Sequence, residues 1–176
     1  MNACDQAEII NMKNRDDFHT DQKRLTSGDY RFRKMSEQDL DDVLTLERSA
    51  YEFPWSETIF KDCLRVNYHC YVVEYRQSTK GYAVMTVAAG ESHILNLCLD
   101  PSLRGHGIGR NLLAHLTDDA RRYRADTMLL EVRISNEIAT SLYLNAGFNE
   151  IGQRSDYYPA NNSRGREDAL IFMLAL

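Results

Sequence analysis

The sequence predicts an α/β (α+β) domain: a mixed, mostly antiparallel central sheet of about six to seven strands, with helices on both faces. Three observations carry that expectation. Short apolar segments separated by tight turns run from His69 to Leu99, the pattern of an antiparallel meander. Strand, loop, amphipathic helix and strand then follow over 92–134, the pattern of a parallel crossover. The 176 residues, 43% hydrophobic and 27% charged, suit one domain with one buried core.

Residues 1–28 are polar and too poor in large apolar groups to offset chain entropy, so a flexible extension is expected there and a domain over 29–176. Tyr30, Phe32 and Lys34 alternate as a strand. Ser36-Glu37-Gln38-Asp39 reads as a capping box, and Leu40, Val43, Leu44, Glu47 and Ala50 continue at helical spacing. Phe53-Pro54-Trp55-Ser56 breaks that helix, and Ser56 can cap a second one that buries Ile59, Phe60, Cys63 and Leu64. His69–Tyr75 is a strand, Lys80-Gly81 reads as a turn, and strands follow over 82–88 and 92–99 with a turn at Gly90. Gly107-Ile108-Gly109 opens a helix with Leu112, Leu113, Leu116 and Ala120 on one stripe. A strand over 127–134 leads to a helix that Asn136 caps and Gly147 ends. Strands over 148–158 and 169–174 complete the sheet.

Composition removes several function classes. A net charge of −5 argues against binding nucleic acid by electrostatics, so no direct nucleic-acid contact is expected. The four cysteines lack C-x-x-C spacing and the histidines lack ligand spacing, so no metal is expected and the thiols read as reduced. The first ten residues carry acids and amides where a signal peptide needs basic and apolar stretches, and no apolar run is long enough to span a bilayer. The expectation is a soluble cytoplasmic protein with no membrane partner, and a monomer, although the sequence specifies no oligomeric state.

The run Arg104-Gly105-His106-Gly107-Ile108-Gly109-Arg110 carries the chemistry. Asp100-Pro101 ends the preceding strand, because proline cannot continue the ladder. Glycines at alternate positions let backbone N–H groups converge without an intervening Cβ. The helix N-terminus adds about half an elementary charge, and Arg104 and Arg110 add full ones. A pyrophosphate-like anion suits such a loop. A plain glycine turn is the structural alternative. The G-x-x-x-x-G-K-[ST] pattern is missing, and Arg110 stands where a dinucleotide fingerprint needs its third glycine. Glu131 near the end of the next strand, where a ribose-binding acid would be, keeps a dinucleotide fold as an alternative that the antiparallel meander argues against.

The Arg-x-x-Gly-x-Gly run resembles the acetyl-CoA signature of the GNAT N-acetyltransferase superfamily. Phe53-Pro54-Trp55-Ser56, Leu130-Glu131-Val132-Arg133, Ser135-Asn136, Leu142-Tyr143, Gly147-Phe148, Tyr157-Tyr158-Pro159 and Gly165-Arg166-Glu167-Asp168-Ala169 resemble its RimI-type branch, the bacterial ribosomal-protein alanine N-acetyltransferases. The resemblance covers about 30–176 and leaves the role of the extension open. It implies a splayed pair of parallel strands with acetyl-CoA between them as cosubstrate. The pantetheine arm would lie on Leu97, Cys98 and Leu99. The pyrophosphate would take the amides of Gly105, His106, Gly107, Ile108, Gly109 and Arg110, and Asn136 would add a contact. It also implies Glu131 as general base, Tyr143 as general acid, an oxyanion-binding N–H near a bulge at Leu99, and the N-terminal alanine of small-subunit ribosomal protein eighteen as acceptor.

The residues fit those roles and also have plainer readings. Glu131 interrupts an apolar strand, where desolvation makes a carboxylate a better base, and a salt bridge with Arg133 or another cation is the alternative. A phenol at Tyr143 can protonate a departing thiolate, and a core aromatic is the alternative. An α-amine with a reference pKa near 7.7–8.0 needs about 1.4 kcal/mol to be neutral at pH 7, against about 4.6 kcal/mol for lysine. A single carboxylate base suits the smaller task. Cys98 as an acyl-carrying nucleophile lacks an evident partner base. Trp55, Tyr157 and Tyr158 are candidates to line an acceptor groove. Two further functions stay open: a GNAT enzyme for other N-termini or a small amine, and an acetyl-CoA-binding sensor without catalysis.

Overall fold

The computed structural model describes residues 8–9, 29–160 and 165–176. The rest of the N-terminal extension lies outside the described residues. Glu8 and Ile9 form β1 (Glu8–Ile9), a two-residue strand. β2 (Tyr30–Lys34) follows, and Ser36 then caps a single 3-10 turn. Its N–H and hydroxyl both donate to the Asp39 carboxylate, at 2.8 and 2.9 Å. The turn feeds α1 (Leu40–Ala50), and Ser56 caps α2 (Glu57–Arg65) by accepting from the Ile59 N–H.

The meander is β3 (His69–Tyr75), β4 (Ser78–Ala88) and β5 (Glu91–Leu99). One turn lies elsewhere than expected. Arg76 and Gln77 take positive φ, 49° and 66°, and make the β3–β4 turn, while Lys80 and Gly81 lie inside β4. Gly81 is there for a different reason. A Cβ on it would stand 2.8 Å from the Cys98 carbonyl oxygen and 2.6 Å from Leu99 Cδ2. Sequence alone does not distinguish a glycine that turns from one that admits a close neighbour.

α3 (Ile108–Arg122), β6 (Thr127–Arg133), α4 (Glu137–Asn145), β7 (Asn149–Pro159) and β8 (Arg166–Ala175) complete the chain. The sheet runs β2-β3-β4-β5-β6-β8-β7, with β1 beside β5. β5 and β6 are parallel and joined by the α3 crossover, and the other pairs on that path are antiparallel. Two apolar clusters sandwich the sheet. Ile108, Leu112, Leu116, Ala139 and Tyr143 of α3 and α4 pack on one face, and Val43, Leu44, Phe60 and Cys63 of α1 and α2 on the other.

The parallel pair is the feature that makes a site. β5 and β6 pair only from Glu91 opposite Thr127 to Ile94 opposite Leu130. Beyond that point they part, and a gap opens between residues 95–99 and Glu131–Arg133. Leu95 is an extra residue in the ladder, since Met85 pairs with Ile94 and Val84 with Asn96. This bulge lies four residues before the expected position at Leu99. It shifts the alternation, so that Leu95 packs with the α1/α2 cluster and Asn96 bonds there too. β1 lies in the gap, with Glu8 opposite Asn96 and Ile9 opposite Leu97.

Candidate active site

The Asp100 N–H bonds the Lys80 carbonyl at 2.9 Å, which sets the phase of the β4–β5 ladder. Alternate residues in an antiparallel pair turn both backbone groups to the neighbour. Leu97 and Leu99 therefore turn theirs away from β4 and into the gap, while Cys98 turns its own to β4. The Leu97 carbonyl accepts from the Tyr51 hydroxyl at 3.0 Å, and the Leu99 carbonyl from the Arg104 guanidinium at 3.1 and 3.2 Å.

The glycine loop sits at the open end of the gap. Gly105 and Gly107 have φ of 76° and 79°, and a Cβ on either would meet nothing within 4 Å. Their glycines answer a backbone need, not a packing need. Gly109 is different, because a Cβ there would meet Leu142 Cδ2 at 3.3 Å. The Arg104 N–H bonds the Pro101 carbonyl, and the first helical bond of α3 runs from the Asn111 N–H to the Gly107 carbonyl at 3.1 Å, so the N–H groups at the helix start lie ahead of its regular ladder. This is a set of donors at a helix N-terminus, as anion binding requires. Ile108 contributes backbone only, since its side chain is in the core. His106 is half-buried and Arg110 exposed.

α4 presents three buried polar atoms that no described residue satisfies: Asn136 Nδ2, Thr140 Oγ1 and the Tyr143 hydroxyl. Spacings of four and three residues put them on one stripe of the helix. Asn136 Oδ1 caps the helix through the Ala139 N–H at 3.2 Å, so Asn136 caps and still offers a donor. Thr140 is missing from the sequence-level candidates, and its i+4 relation to Asn136 is the signal that finds it. Burial pushes the Tyr143 phenol well above its ordinary value, so it keeps its proton. Buried polar atoms without partners are rare enough to mark a place where something else binds.

Glu131 is the first residue of β6 past the last paired position, so its carboxylate stands at the root of the gap, 3% exposed. Arg133 is not its partner. That guanidinium contacts Glu167 at 3.1 Å and the Pro159 carbonyl at 3.0 Å. Glu131 instead lies 3.3 Å from Arg154 Nη2 and 3.2 Å from His93 Nε2, two residues that sequence spacing does not connect with it. Glu131 lies on the α1/α2 side of the sheet and Tyr143 in the α3/α4 cluster. Only a break in the sheet lets groups from opposite faces act on one bond.

A second polar cluster joins the Phe53–Ser56 loop to the gap. Glu47, fully buried, accepts from the Trp55 N–H at 2.7 Å and from the Tyr82 hydroxyl, with Asn96 Nδ2 at 3.4 Å. Tyr51 adds a bond to Asn96 Oδ1 at 3.2 Å. Trp55 is core, 3% exposed and packed on Phe60. Tyr158 is buried under Arg133, and Tyr157 lies in an irregular stretch of β7 beside Arg154. Burial first, then the Glu47 carboxylate, push the Cys98 thiol up to about 12, which makes it a poor nucleophile.

Residues 38–148 match the model of the acetyltransferase (GNAT) family. The chain belongs to that family. As a GNAT acyltransferase it is 36% identical, over 138 residues, to the [ribosomal protein bS18]-alanine N-acetyltransferase of Escherichia coli (strain K12). That match covers 78% of this chain and 92% of the relative. The crystal structure of the ribosomal-protein-S18-alanine N-acetyltransferase from Escherichia coli superimposes with a TM-score of 0.76 at 34% identity, over 83% of this chain and 93% of that one. A putative acetyltransferase from Salmonella typhimurium, solved with its cofactor acetyl-CoA, aligns at TM-score 0.71 over 84% of this chain and 94% of that one. At 18% identity that likeness speaks to the fold alone. The dinucleotide alternative falls with these matches and with the splayed sheet. No described helix of this acetyltransferase is long and apolar enough to cross a membrane.

Proposed function

We propose that this acetyltransferase moves the acetyl group of acetyl-CoA to a protein N-terminal α-amine, that of the N-terminal alanine of ribosomal protein bS18, in the cytoplasm. The observation that carries the reading is the gap between residues 95–99 and Glu131–Arg133, with a buried carboxylate on one face of the sheet and a buried, unsatisfied phenol on the other. Likeness to enzymes named for that acceptor supports the choice of substrate.

Each residue has a task. The N–H groups from Gly105 to Arg110 hold the pyrophosphate, and Leu97 and Leu99 offer backbone groups to the pantetheine arm. β1 stands on that same edge, so the arm and β1 are alternatives for it. Asn136 Nδ2 and Thr140 Oγ1 gain partners when the cosubstrate is seated. Glu131 takes a proton from the amine as its nitrogen bonds to the acetyl carbon. A backbone N–H at the Leu95 bulge or on the gap edge polarises the carbonyl oxygen. Tyr143 gives its proton to the sulfur as the carbon–sulfur bond breaks, and regains one from solvent.

The test is purified protein with acetyl-CoA and two short peptides. One carries the bS18 N-terminus with a free Ala; the other has a blocked N-terminus and an internal lysine. Acetylation of the first alone is expected. Tight cofactor binding without transfer to any N-terminal peptide would sink the reading in favour of the sensor.

A further inference from the structure

Glu131 poses a problem that base catalysis does not solve by itself. Its carboxylate is 4% exposed. Each turnover leaves a proton on it, and that proton must leave before the next amine is deprotonated. Two side chains lie in charge contact with it. Arg154 Nη2 stands 3.3 Å from Oε1. A guanidinium is permanently protonated and has no acceptor, so Arg154 cannot take a proton. It can pair with the carboxylate but cannot carry the proton away.

His93 can take that proton. Its Nε2 is buried, makes no aligned hydrogen bond, and stands 3.2 Å from Glu131 Oε2. Its side chain is also 33% exposed, so the ring spans the distance between the carboxylate and water. Imidazole is the side-chain group that changes protonation near neutral pH and can accept at one nitrogen while releasing at the other. The position is fixed by the ladder. His93 pairs with Leu129 on β6, two residues before Glu131 on the same face, at the closed end of the gap. It therefore reaches the base without occupying space that the acceptor needs.

We infer that His93 is a proton relay that carries the proton from Glu131 to solvent during acetyl transfer, an inference that rests on the reading of Glu131 as base. The proton that leaves the amine nitrogen passes to Glu131 Oε2 and then to the lone pair of His93 Nε2. The imidazolium then releases one proton to water, and the ring recovers its tautomer by exchange with solvent. One proton enters and one leaves, with no other reactant.

His93→Gln keeps a polar side chain of similar size and removes the relay. Steady-state assays with acetyl-CoA and an Ala-starting peptide are expected to show kcat lowered roughly tenfold, less than the loss of the base itself because water carries part of the proton flow, with both KM values nearly unchanged. Added imidazole buffer is expected to restore the variant's kcat in proportion to its concentration and to leave the wild-type protein unaffected. A mere packing role for His93 predicts no such rescue. His93→Ser, which leaves room for free imidazole, repeats the test if the Gln variant melts early. Wild-type turnover in both variants, or a deficit that imidazole does not relieve, overturns the relay. Glu131→Gln separates the two readings. If it turns over normally, the base assignment fails; if it is inactive while His93→Gln is normal, only the relay fails.

Discussion

Tyr143 and Glu131 are both almost fully buried, yet their surroundings differ in kind. The phenol lies in a wholly apolar cluster with its hydroxyl unsatisfied, whereas the carboxylate has Arg154 and His93 beside it. A proton donor and a proton acceptor for one reaction call for different surroundings of this kind. Glu131→Gln and Tyr143→Phe are each expected to lower kcat at least about tenfold while acetyl-CoA affinity, read by calorimetry, stays nearly intact. Wild-type rates in both would remove the assignments. Cys98, with its thiol pushed up to about 12, is expected to resist alkylation at neutral pH, and Cys98→Ala to retain turnover. Glu131 and Tyr143 could be proposed from the sequence because each lies in a local motif that carries the family resemblance. His93, Arg154 and Thr140 could not, because their significance comes from what stands opposite them after folding.

At the scale of elements, glycines with similar sequence appearance separate into different physical roles. Gly81→Ala places a Cβ against the backbone oxygen of Cys98 and the side chain of Leu99, so β4 and β5 must part. Overpacking of this kind costs about 1–3 kcal/mol, and a lowered Tm in thermal melts checks it. Gly107→Ala meets nothing but keeps a left-handed backbone, so it costs about 1–2 kcal/mol at most in strain. Its larger expected effect is weaker acetyl-CoA binding, as the loop relaxes away from the anion. Equal loss of stability in the two variants would contradict this division. The capped starts of α1, α2 and α4 were legible in the sequence because capping is local. The β3–β4 turn was misplaced because Arg76 and Gln77 carry no turn signature, whereas Gly81 does.

For the whole molecule, carboxylates tie the layers together. Asp119 on α3 accepts from the Tyr71 hydroxyl and lies beside His69 Nδ1, both on β3 and both at 2.6 Å. Burial works against its ionised form, but the bonds from Tyr71 and His69 outweigh it and hold its carboxyl below the ordinary range. Asp39 is held low chiefly by Arg33. For Glu167, burial again opposes ionisation, and the Ser135 and Arg133 bonds prevail. A carboxylate depressed in the folded state contributes stability that is present above its unfolded value, near 3.9 for Asp, and lost as pH falls through the folded value. Asp119→Asn is therefore expected to unfold more easily than wild type at pH 7, by about 1–3 kcal/mol in urea melts, with the difference shrinking below about pH 4. A difference constant from pH 7 to pH 3 would show that Asp119 acts through packing alone.

The sequence by itself determined the order of the elements from β2 onward, the family, and the short motifs on which the phosphate loop and the acid and base are proposed. These are encoded by periodicity, caps and short motifs, which act over a few neighbours. Only the tertiary structure decided where the parallel strands part, that Leu97 and Leu99 but not Cys98 face the gap, and that the bulge falls at Leu95. It alone brought Arg154 and His93 to Glu131 and set Glu47 between Trp55, Tyr82 and Asn96. The physical reason is that register and sidedness in a sheet depend on hydrogen bonds between distant segments, and a one-residue bulge redirects side chains beyond it. The loop proposed to bind phosphate can be read along the chain, whereas the surroundings of Glu131 are assembled across it.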